Sequence, residues 1–386
     1  MQQSVPPSVR PNSPNFSSGP CSKIPNWSLD LIKDATTGRS HRSKIGKSKL
    51  KLAIDVTKEI LNLPADYRVA IVPASDTGAV EMALWSLLGE RGVDVLAWES
   101  FSQDWVTDIK DQLKLNPTVH KADYGLLPDL SAVNFDNDVV FPWNGTTSGV
   151  RLPNADWIPN DRKGLTICDA TSAIFAQEMD FTKLDVVTYS WQKVLGGEAA
   201  HGMLILSPRA VERLENYTPD RPLPKIFRMT KKGKIDEALF QGATINTPSM
   251  ICVEDYLACL AWVQQNDGYA GMIARADKNT DVITKWVAKT PWIDFLAQDP
   301  NTRSNTSVCL VFSSAEFKAM SSEDQQAFTS QFIKFLDSQD IAYDIAAYRT
   351  APAGLRIWCG STIEASDIEA LCLWLDYAHS ILNSSI

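Results

Sequence analysis

Apolar residues in this chain fall in short dense runs separated by longer mixed stretches, an order that alternates strand with helix through its first two thirds. The runs at 68–73, 93–98, 139–143, 165–169, 186–189 and 202–206 are short and rich in β-branched residues, and they read as buried strands. Between them 77–88 reads as a helix, and 103–113 sets Trp105, Ile109 and Leu113 at four-residue spacing, again a helix. Residues 49–61 place Leu52, Ile54, Val56, Ile60 and Leu61 on a loose apolar stripe that stops before Pro64, a further helix. Strands alternating with helices predict an α/β fold with a mostly parallel sheet covered by helices.

The pattern changes after Pro248. Helices are predicted over 249–265, 272–288 and 322–339, strands over 307–312, 341–343 and 355–358, and a last helix from Ala365. The chain therefore divides into an N-terminal arm at 1–15, a large domain over 16–259 and a smaller α+β C-terminal domain over 260–386. The arm is Pro/Ser/Asn-rich without periodicity, and is expected to be extended or draped over another subunit.

Charge and composition exclude several classes. A net charge of −9, from 37 Lys+Arg against 46 Asp+Glu, argues against a nucleic-acid or anionic-membrane binder. The basic run Arg39, His41, Arg42, Lys44, Lys47, Lys49, Lys51 has no interleaved aromatics and reads as a solvated face. Gly46-Lys47-Ser48 lacks the glycine five positions earlier, where His41 stands, and no strand precedes it, so it is not a nucleotide phosphate loop. The seven cysteines are scattered and form no Cys-x-x-Cys pair, which fits reduced core thiols in a cytoplasmic protein and no metal site. Pro6, Pro7, Pro11 and Pro14 stand where a secretory signal would need an apolar segment, and no apolar run approaches the roughly 20 residues of a membrane span.

The chemistry concentrates at strand ends. One predicted strand ends in Asp169 and another runs into Ser190-Trp191-Gln192-Lys193, and ligands of such sheets bind outside the carboxyl ends of the strands. A carboxylate able to hold a protonated pyridine nitrogen, with a lysine able to form a Schiff base, is what pyridoxal phosphate chemistry requires. Taken alone, such a pair serves equally as a structural ion pair. Between the first strand and the next helix lies Pro73-Ala74-Ser75-Asp76-Thr77-Gly78, where small residues and a helix N-terminus suit an anion or a plain capping turn. Trp105 is either core or a stacking surface for a flat ring, and Asn144-Gly145-Thr146-Thr147 offers hydroxyls at the same sheet edge. The Gly196-Gly197 pair after Lys193 leaves room for substrate.

In that order, Ser75-Asp76, Trp105, Asn144-Gly145-Thr146, Asp169, Gln192-Lys193 and Asn246-Thr247-Pro248 resemble the class V aminotransferase group of fold-type I pyridoxal phosphate enzymes. Asn15-Phe16-Ser17-Ser18-Gly19-Pro20 and Ser40-His41-Arg42-Ser43 resemble its phosphoserine aminotransferases, so that the likeness runs from Asn15 to Arg356. The resemblance implies pyridoxal 5'-phosphate bound covalently at Lys193, with Asp169 on the ring nitrogen and Trp105 on the ring face. It implies that Thr146 bonds to Asp169 or the ring's phenolic oxygen, and that Ser75, Asp76 and Gln192 bind the cofactor phosphate. Asn246 and Thr247 would reach the phosphate in a neighbouring subunit, which implies a homodimer with shared sites. Arg356 would take the substrate α-carboxylate, and His41, Arg42 and Arg349 the phosphate. The implied substrates are glutamate and 3-phosphohydroxypyruvate, the products 2-oxoglutarate and phosphoserine, and the setting serine and pyridoxine biosynthesis.

Two features depart from the family pattern. Tyr348-Arg349-Thr350 stands where His-Arg-Ser is common, and the loop through Pro352 to Arg356 is one residue longer. Other members of the group, alanine–glyoxylate or serine–pyruvate aminotransferases and cysteine desulfurases, remain open at this point; a desulfurase needs a mobile thiol, whereas Cys359 follows Arg356 in a strand-like run.

Overall fold

The computed structural model describes residues 5–382. Its centre is a sheet of β1 (Arg68–Pro73), β2 (Val93–Ala97), β3 (Thr118–Lys121), β4 (Asp138–Pro142), β5 (Thr166–Asp169), β6 (Val186–Ser190) and β7 (His201–Leu206). Their spatial order is β1-β7-β6-β5-β4-β2-β3. Every pairing is parallel except those of β7, which runs antiparallel to both β1 and β6. The expected mostly parallel α/β sheet is therefore present. Helices α1 (Lys44–Ile60), α2 (Ser75–Leu87), α3 (Ser100–Thr107) and α4 (Pro208–Asn216) cover it.

Two cores lie on the two faces. One joins Leu50 and Ile54 of α1 to Val187 and Tyr189; the other joins Val80, Ala83 and Leu87 of α2 to Val140, Ile167 and Leu204. Because both faces are covered, β4 and β6 are buried along their whole length, which is why both carry neighbouring apolar residues, Val139-Val140 and Val186-Val187, that face opposite sides of the sheet. At roughly 1.5–3 kcal/mol for each large apolar side chain removed from water, these layers supply most of the drive for folding.

The second part of the molecule comprises α5 (Met250–Gln265), α6 (Gly268–Val287), β8 (Ile293–Phe295), β9 (Ser307–Phe312), α7 (Ser322–Ser338), β10 (Gly354–Trp358) and α8 (Ala365–Leu382). Its sheet is antiparallel in the order β8-β9-β10. Residue 259, where the sequence places the change of domain, lies inside α5.

The differences from the sequence reading have local causes. The first helix begins at Lys44 because Ser43 caps it, accepting the Gly46 N–H at 3.2 Å. It buries Leu50, Ala53, Ile54 and Thr57 and leaves Leu52 exposed. The four lysines of the basic run lie in that helix, with Lys49 paired to Glu254 at 2.9 Å and Lys51 to Asp55. β3 escaped notice because Thr-Val-His-Lys is an edge strand with little burial. α4 escaped because it is only nine residues long and its buried side mixes Ala210, Val211 and Leu214 with Arg213, which pairs with Asp138 at 2.8 Å. Residues 341–343 are not a strand: only an isolated bridge from Tyr343 to Asn15 forms.

That bridge belongs to the arm, whose first four residues lie outside the described region. Residues 9–16 pack on their own chain. The Trp374 indole N–H donates to the Val9 carbonyl at 2.8 Å, the Asn12 N–H to Asp367 at 2.7 Å and the Trp358 N–H to the Phe16 carbonyl at 3.0 Å.

Candidate active site

β5 and β6 are parallel neighbours with Asp169 opposite Thr188, so Asp169 and the segment after Ser190 emerge at one sheet edge. A cavity of about 160 Å³ opens there, lined by Ser75, Asp76, Trp105, Thr146, Asp169, Gln192 and Lys193. The sequence-derived cofactor residues of one chain thus meet in a single space, apart from Asn246 and Thr247.

Asp169 is held by two donors. The Thr171 N–H donates to one carboxylate oxygen at 3.0 Å, and the Trp105 indole N–H to the other at 3.2 Å. Burial raises its pKa, against the pull of the Thr171 amide, Asp76, Trp105 and Lys193. Asp76, in the first turn of α2, faces the same space; burial and then the charge of Asp169 push its pKa well up. Two buried carboxyls this close do not both ionise. The donors around Asp169 keep the charge there, and Asp76 holds the proton.

Lys193 donates to the Ser18 carbonyl at 2.5 Å. Burial lowers its pKa and the positive field of Arg356 lowers it further, which favours the neutral nucleophilic amine. A methyl at Gly19 would sit 2.2 Å from the Lys193 amine, so this position tolerates only glycine while the lysine stays in place. Neither Ser18 nor Gly19 carried a role in the sequence reading, although both lie in the Asn15–Pro20 string.

The turn before α2 is built for an anion. Ala74 and Ser75 adopt left-handed φ values of 65° and 53°, and α2 has no side-chain cap. The Ser75 N–H is taken by the Ala200 carbonyl at 3.4 Å, which leaves the amides of Asp76 and Thr77 next in a helix turn that has no internal partners for them. Gly78 fits because a side chain there would meet the Pro73 carbonyl at 2.3 Å. Around the cavity, Asp76 Oδ1, Ser190 Oγ and Gln192 Oε1 are buried without hydrogen-bond partners. Unpartnered buried polar atoms cost free energy, and several in one cavity mark a place for a polar ligand. These donors and acceptors fit pyridoxal phosphate: the α2 turn would hold its phosphate, Trp105 and Asp169 its ring, and Lys193 its carbonyl group.

Thr146 lines the same cavity. Its hydroxyl donates to Ser172 Oγ at 2.7 Å and not to Asp169, while its carbonyl accepts from the Ser307 hydroxyl at 2.7 Å.

The residues expected to bind substrate are scattered. Arg356, on β10, has its Nε buried without a partner, and its field reaches Lys193 and Cys21. Arg349 is exposed and lies over the Tyr348 ring at 5.6 Å, on the edge of a second cavity of about 300 Å³. His41 and Arg42 lie in the turn before α1, outside both cavities. Burial, and then Arg42, lower the His41 pKa. Asn246 and Thr247 are exposed in the loop before α5, also outside both cavities. Gly242, a few residues earlier, packs against the backbone of Lys47 and Lys51, so this loop and the start of α1 share one side of the molecule.

Three features carried no role at the site in the sequence reading. Glu99 is buried, caps α3 by accepting the Ser102 N–H at 2.6 Å, and accepts the Thr147 hydroxyl at 2.9 Å. His201 packs tilted against Trp191 with centroids 4.7 Å apart and accepts the Ser249 N–H at 3.1 Å; burial takes its pKa down to about 4. Tyr124 and Thr350 join a hydroxyl cluster at the rim of the larger cavity.

No family model matches the chain. Solved structures of similar fold include phosphoserine aminotransferases from Cytophaga hutchinsonii, 22% identical with a TM-score of 0.76 over 96% of this chain and 97% of that one, and from Bacillus circulans subsp. alkalophilus, 17% identical with a TM-score of 0.76 over 97% and 99%. A ureidoglycine–glyoxylate aminotransferase from Bacillus subtilis superposes as well, with a TM-score of 0.78 at 14% identity, covering 100% of this chain and 96% of that one; at such identities the likeness speaks for the fold alone. Sequence distinguishes among them. The phosphoserine aminotransferase of Methanosarcina mazei is 58% identical over 377 residues, 97% of this chain and 99% of that protein, and that of Methanosarcina barkeri 57% over the same shares. With that identity along nearly the full length of both chains, the protein belongs to the phosphoserine aminotransferase family.

Proposed function

We propose that the family's reaction, reversible amino transfer from glutamate to 3-phosphohydroxypyruvate giving 2-oxoglutarate and O-phosphoserine, runs in the cavity between Asp169 and Lys193 with pyridoxal 5'-phosphate as cofactor. The observation that carries this is the meeting of Lys193, Asp169, Trp105 and the α2 turn in one space with unpartnered polar walls. Bound there, the cofactor supplies an electron sink that allows an amino group to leave one carbon skeleton for another.

The protein's own groups divide that work. Asp169 carries the negative charge of the carboxyl pair and holds a proton at the ring nitrogen; Trp105 fixes its orientation through the indole N–H and offers a ring face. Lys193, with its lowered pKa, is the amine that attaches the cofactor and then moves a proton at the substrate Cα. Ser75, the amide of Asp76, and Gln192 receive the cofactor phosphate. The Asp76 side chain serves there only in its protonated form, since a second buried anion would repel the phosphate. Thr146, through Ser172, holds the wall at Asn144.

Phosphoserine has two anionic ends, and one arginine does not neutralise both. Arg356 takes the α-carboxylate. Arg349, with His41 and Arg42, takes the phosphate; because His41, Arg42, Asn246 and Thr247 lie away from the cavity in their own chain, we assign them to the site of a second copy in a homodimer. Among the described residues no helix is long and apolar enough to cross a membrane. We place the enzyme in the cytoplasm and in serine biosynthesis. The desulfurase alternative needs an exposed thiolate, and Cys359 is buried with its pKa pushed well up.

The test is a coupled assay of purified protein with glutamate and 3-phosphohydroxypyruvate, run against unphosphorylated hydroxypyruvate. Strong preference for the phosphorylated acceptor is expected. Equal rates, or preference for glyoxylate, would assign the cavity to another member of the group.

A further inference from the structure

Outside the cavity of Asp169 and Lys193, a ring of three hydroxyls joins the large sheet to the second domain. Ser100 Oγ lies 2.7 Å from the Tyr124 hydroxyl and 2.5 Å from Thr350 Oγ1, and the Tyr124 hydroxyl lies 2.8 Å from Thr350 Oγ1. Each hydroxyl has one proton to give and can accept, so the three close a cycle in which every member donates once and accepts once.

The ring is anchored in the scaffold of the cofactor cavity. The Ser100 N–H donates to Thr147 Oγ1 at 3.1 Å, and Thr147 donates to Glu99 at 2.9 Å. Glu99 caps α3, the helix that carries Trp105. On the other side, Thr350 sits at the tip of a hairpin leading into β10 and Arg356. In that hairpin the Ala347 N–H donates to the Gly354 carbonyl at 3.1 Å and the Ala351 N–H to the Tyr348 carbonyl at 2.8 Å. The same tip carries Arg349. Tyr348 meets the Phe101 ring at 5.5 Å, with the guanidinium groups of Arg349 and Arg356 at 5.6 and 5.8 Å from its centroid.

We propose that Ser100, Tyr124 and Thr350 form a latch that fixes the Tyr348–Arg349 tip against the cofactor scaffold, which makes Tyr124 and Thr350 positioning residues for substrate binding. An exposed tip left free would have to be ordered each time substrate bound, and that entropy would weaken affinity. With the latch closed, the tip is ordered in advance and Arg349 and Arg356 keep a fixed relation through Tyr348. The latch touches neither Lys193 nor Asp169, so it acts on binding and not on proton transfer. This inference rests on the reading that the cavity transaminates phosphoserine.

The test compares Thr350→Val, Tyr124→Phe and Thr350→Ser in the full-length, cofactor-loaded enzyme. Thr350→Val and Tyr124→Phe are each expected to raise KM for phosphoserine roughly five- to tenfold, the scale of one lost hydrogen bond, with kcat changed less than twofold. Thr350→Ser, which keeps the hydroxyl, is expected to restore KM. Amide hydrogen exchange across residues 346–353, measured without substrate, is expected to quicken in the first two variants and not in the third. An unchanged KM, a fall in kcat in place of a rise in KM, unaltered exchange, or a Thr350→Ser variant as impaired as Thr350→Val would each overturn the latch. Failure of the unmodified enzyme to act on phosphoserine would instead overturn the functional reading, and the exchange comparison would still decide whether the latch exists.

Discussion

The two halves of the candidate site are built on opposite plans. The cofactor half stands on ends of buried parallel strands and the first turn of α2, where main-chain register fixes Asp169, Lys193 and the Ser75–Asp76 turn to one edge. The proposed substrate half hangs on loops: Arg349 on a hairpin tip, and His41 and Arg42 in the turn before α1. Only Arg356, on β10, is placed by a sheet. A chemistry shared by many relatives is thus placed on the rigid core, and recognition of a particular substrate on segments that vary at little cost to folding.

This contrast is open to attack, most severely through the carboxyl pair. Asp169→Asn is expected to lower kcat on the order of a hundredfold or more, because an amide cannot hold the ring proton. Asp76→Asn is expected to retain most turnover, since an amide imitates the protonated carboxyl that burial and Asp169 enforce. Steady-state rates of the two variants decide it; equal losses would show that the charge is shared differently from this account.

On the substrate half, Arg42→Ala is expected to cost about 2–5 kcal/mol in kcat/KM for phosphoserine, the usual range when a bound anion loses its partner. Arg356→Ala is expected to weaken phosphoserine and glutamate alike. If Arg42→Ala leaves kcat/KM for phosphoserine unchanged, the phosphate is bound elsewhere.

A smaller effect comes from His201, which backs Trp191 two residues before Lys193. Its pKa lies near 4 in the folded chain and near 6.5 in an unfolded one. The unfolded chain therefore takes up a proton first as pH falls, and the stabilisation present above about pH 6.5 diminishes toward pH 4, by about 2 kcal/mol at pH 5. His201→Gln should flatten the difference in urea stability between pH 7.5 and pH 5. An unchanged difference would mean that His201 is not held neutral.

Much of this architecture was legible because buried strands announce themselves. The runs ending at Asp169 and Ser190 are apolar on both faces, and their ends point to one crevice by the geometry of parallel sheets. α4 and β3 were illegible for the complementary reason: Arg213 is buried as an ion partner of Asp138, and Thr118–Lys121 is an edge with little to bury. The roles of Ser18, Gly19, Tyr124 and Thr350 depend on contacts across large separations in sequence, 175 residues in the case of Ser18 and Lys193, and no local pattern records such a meeting. The Thr146–Ser172 contact was equally invisible, because it joins residues on two different strand ends.

The most direct test of the central claim is to load the purified protein with pyridoxal 5'-phosphate, reduce it with borohydride and map the label by mass spectrometry. The account predicts a yellow protein that loses its colour on reduction, with the cofactor mass on the peptide containing Lys193. A label on another lysine, or a colourless protein that takes up no cofactor, would contradict it.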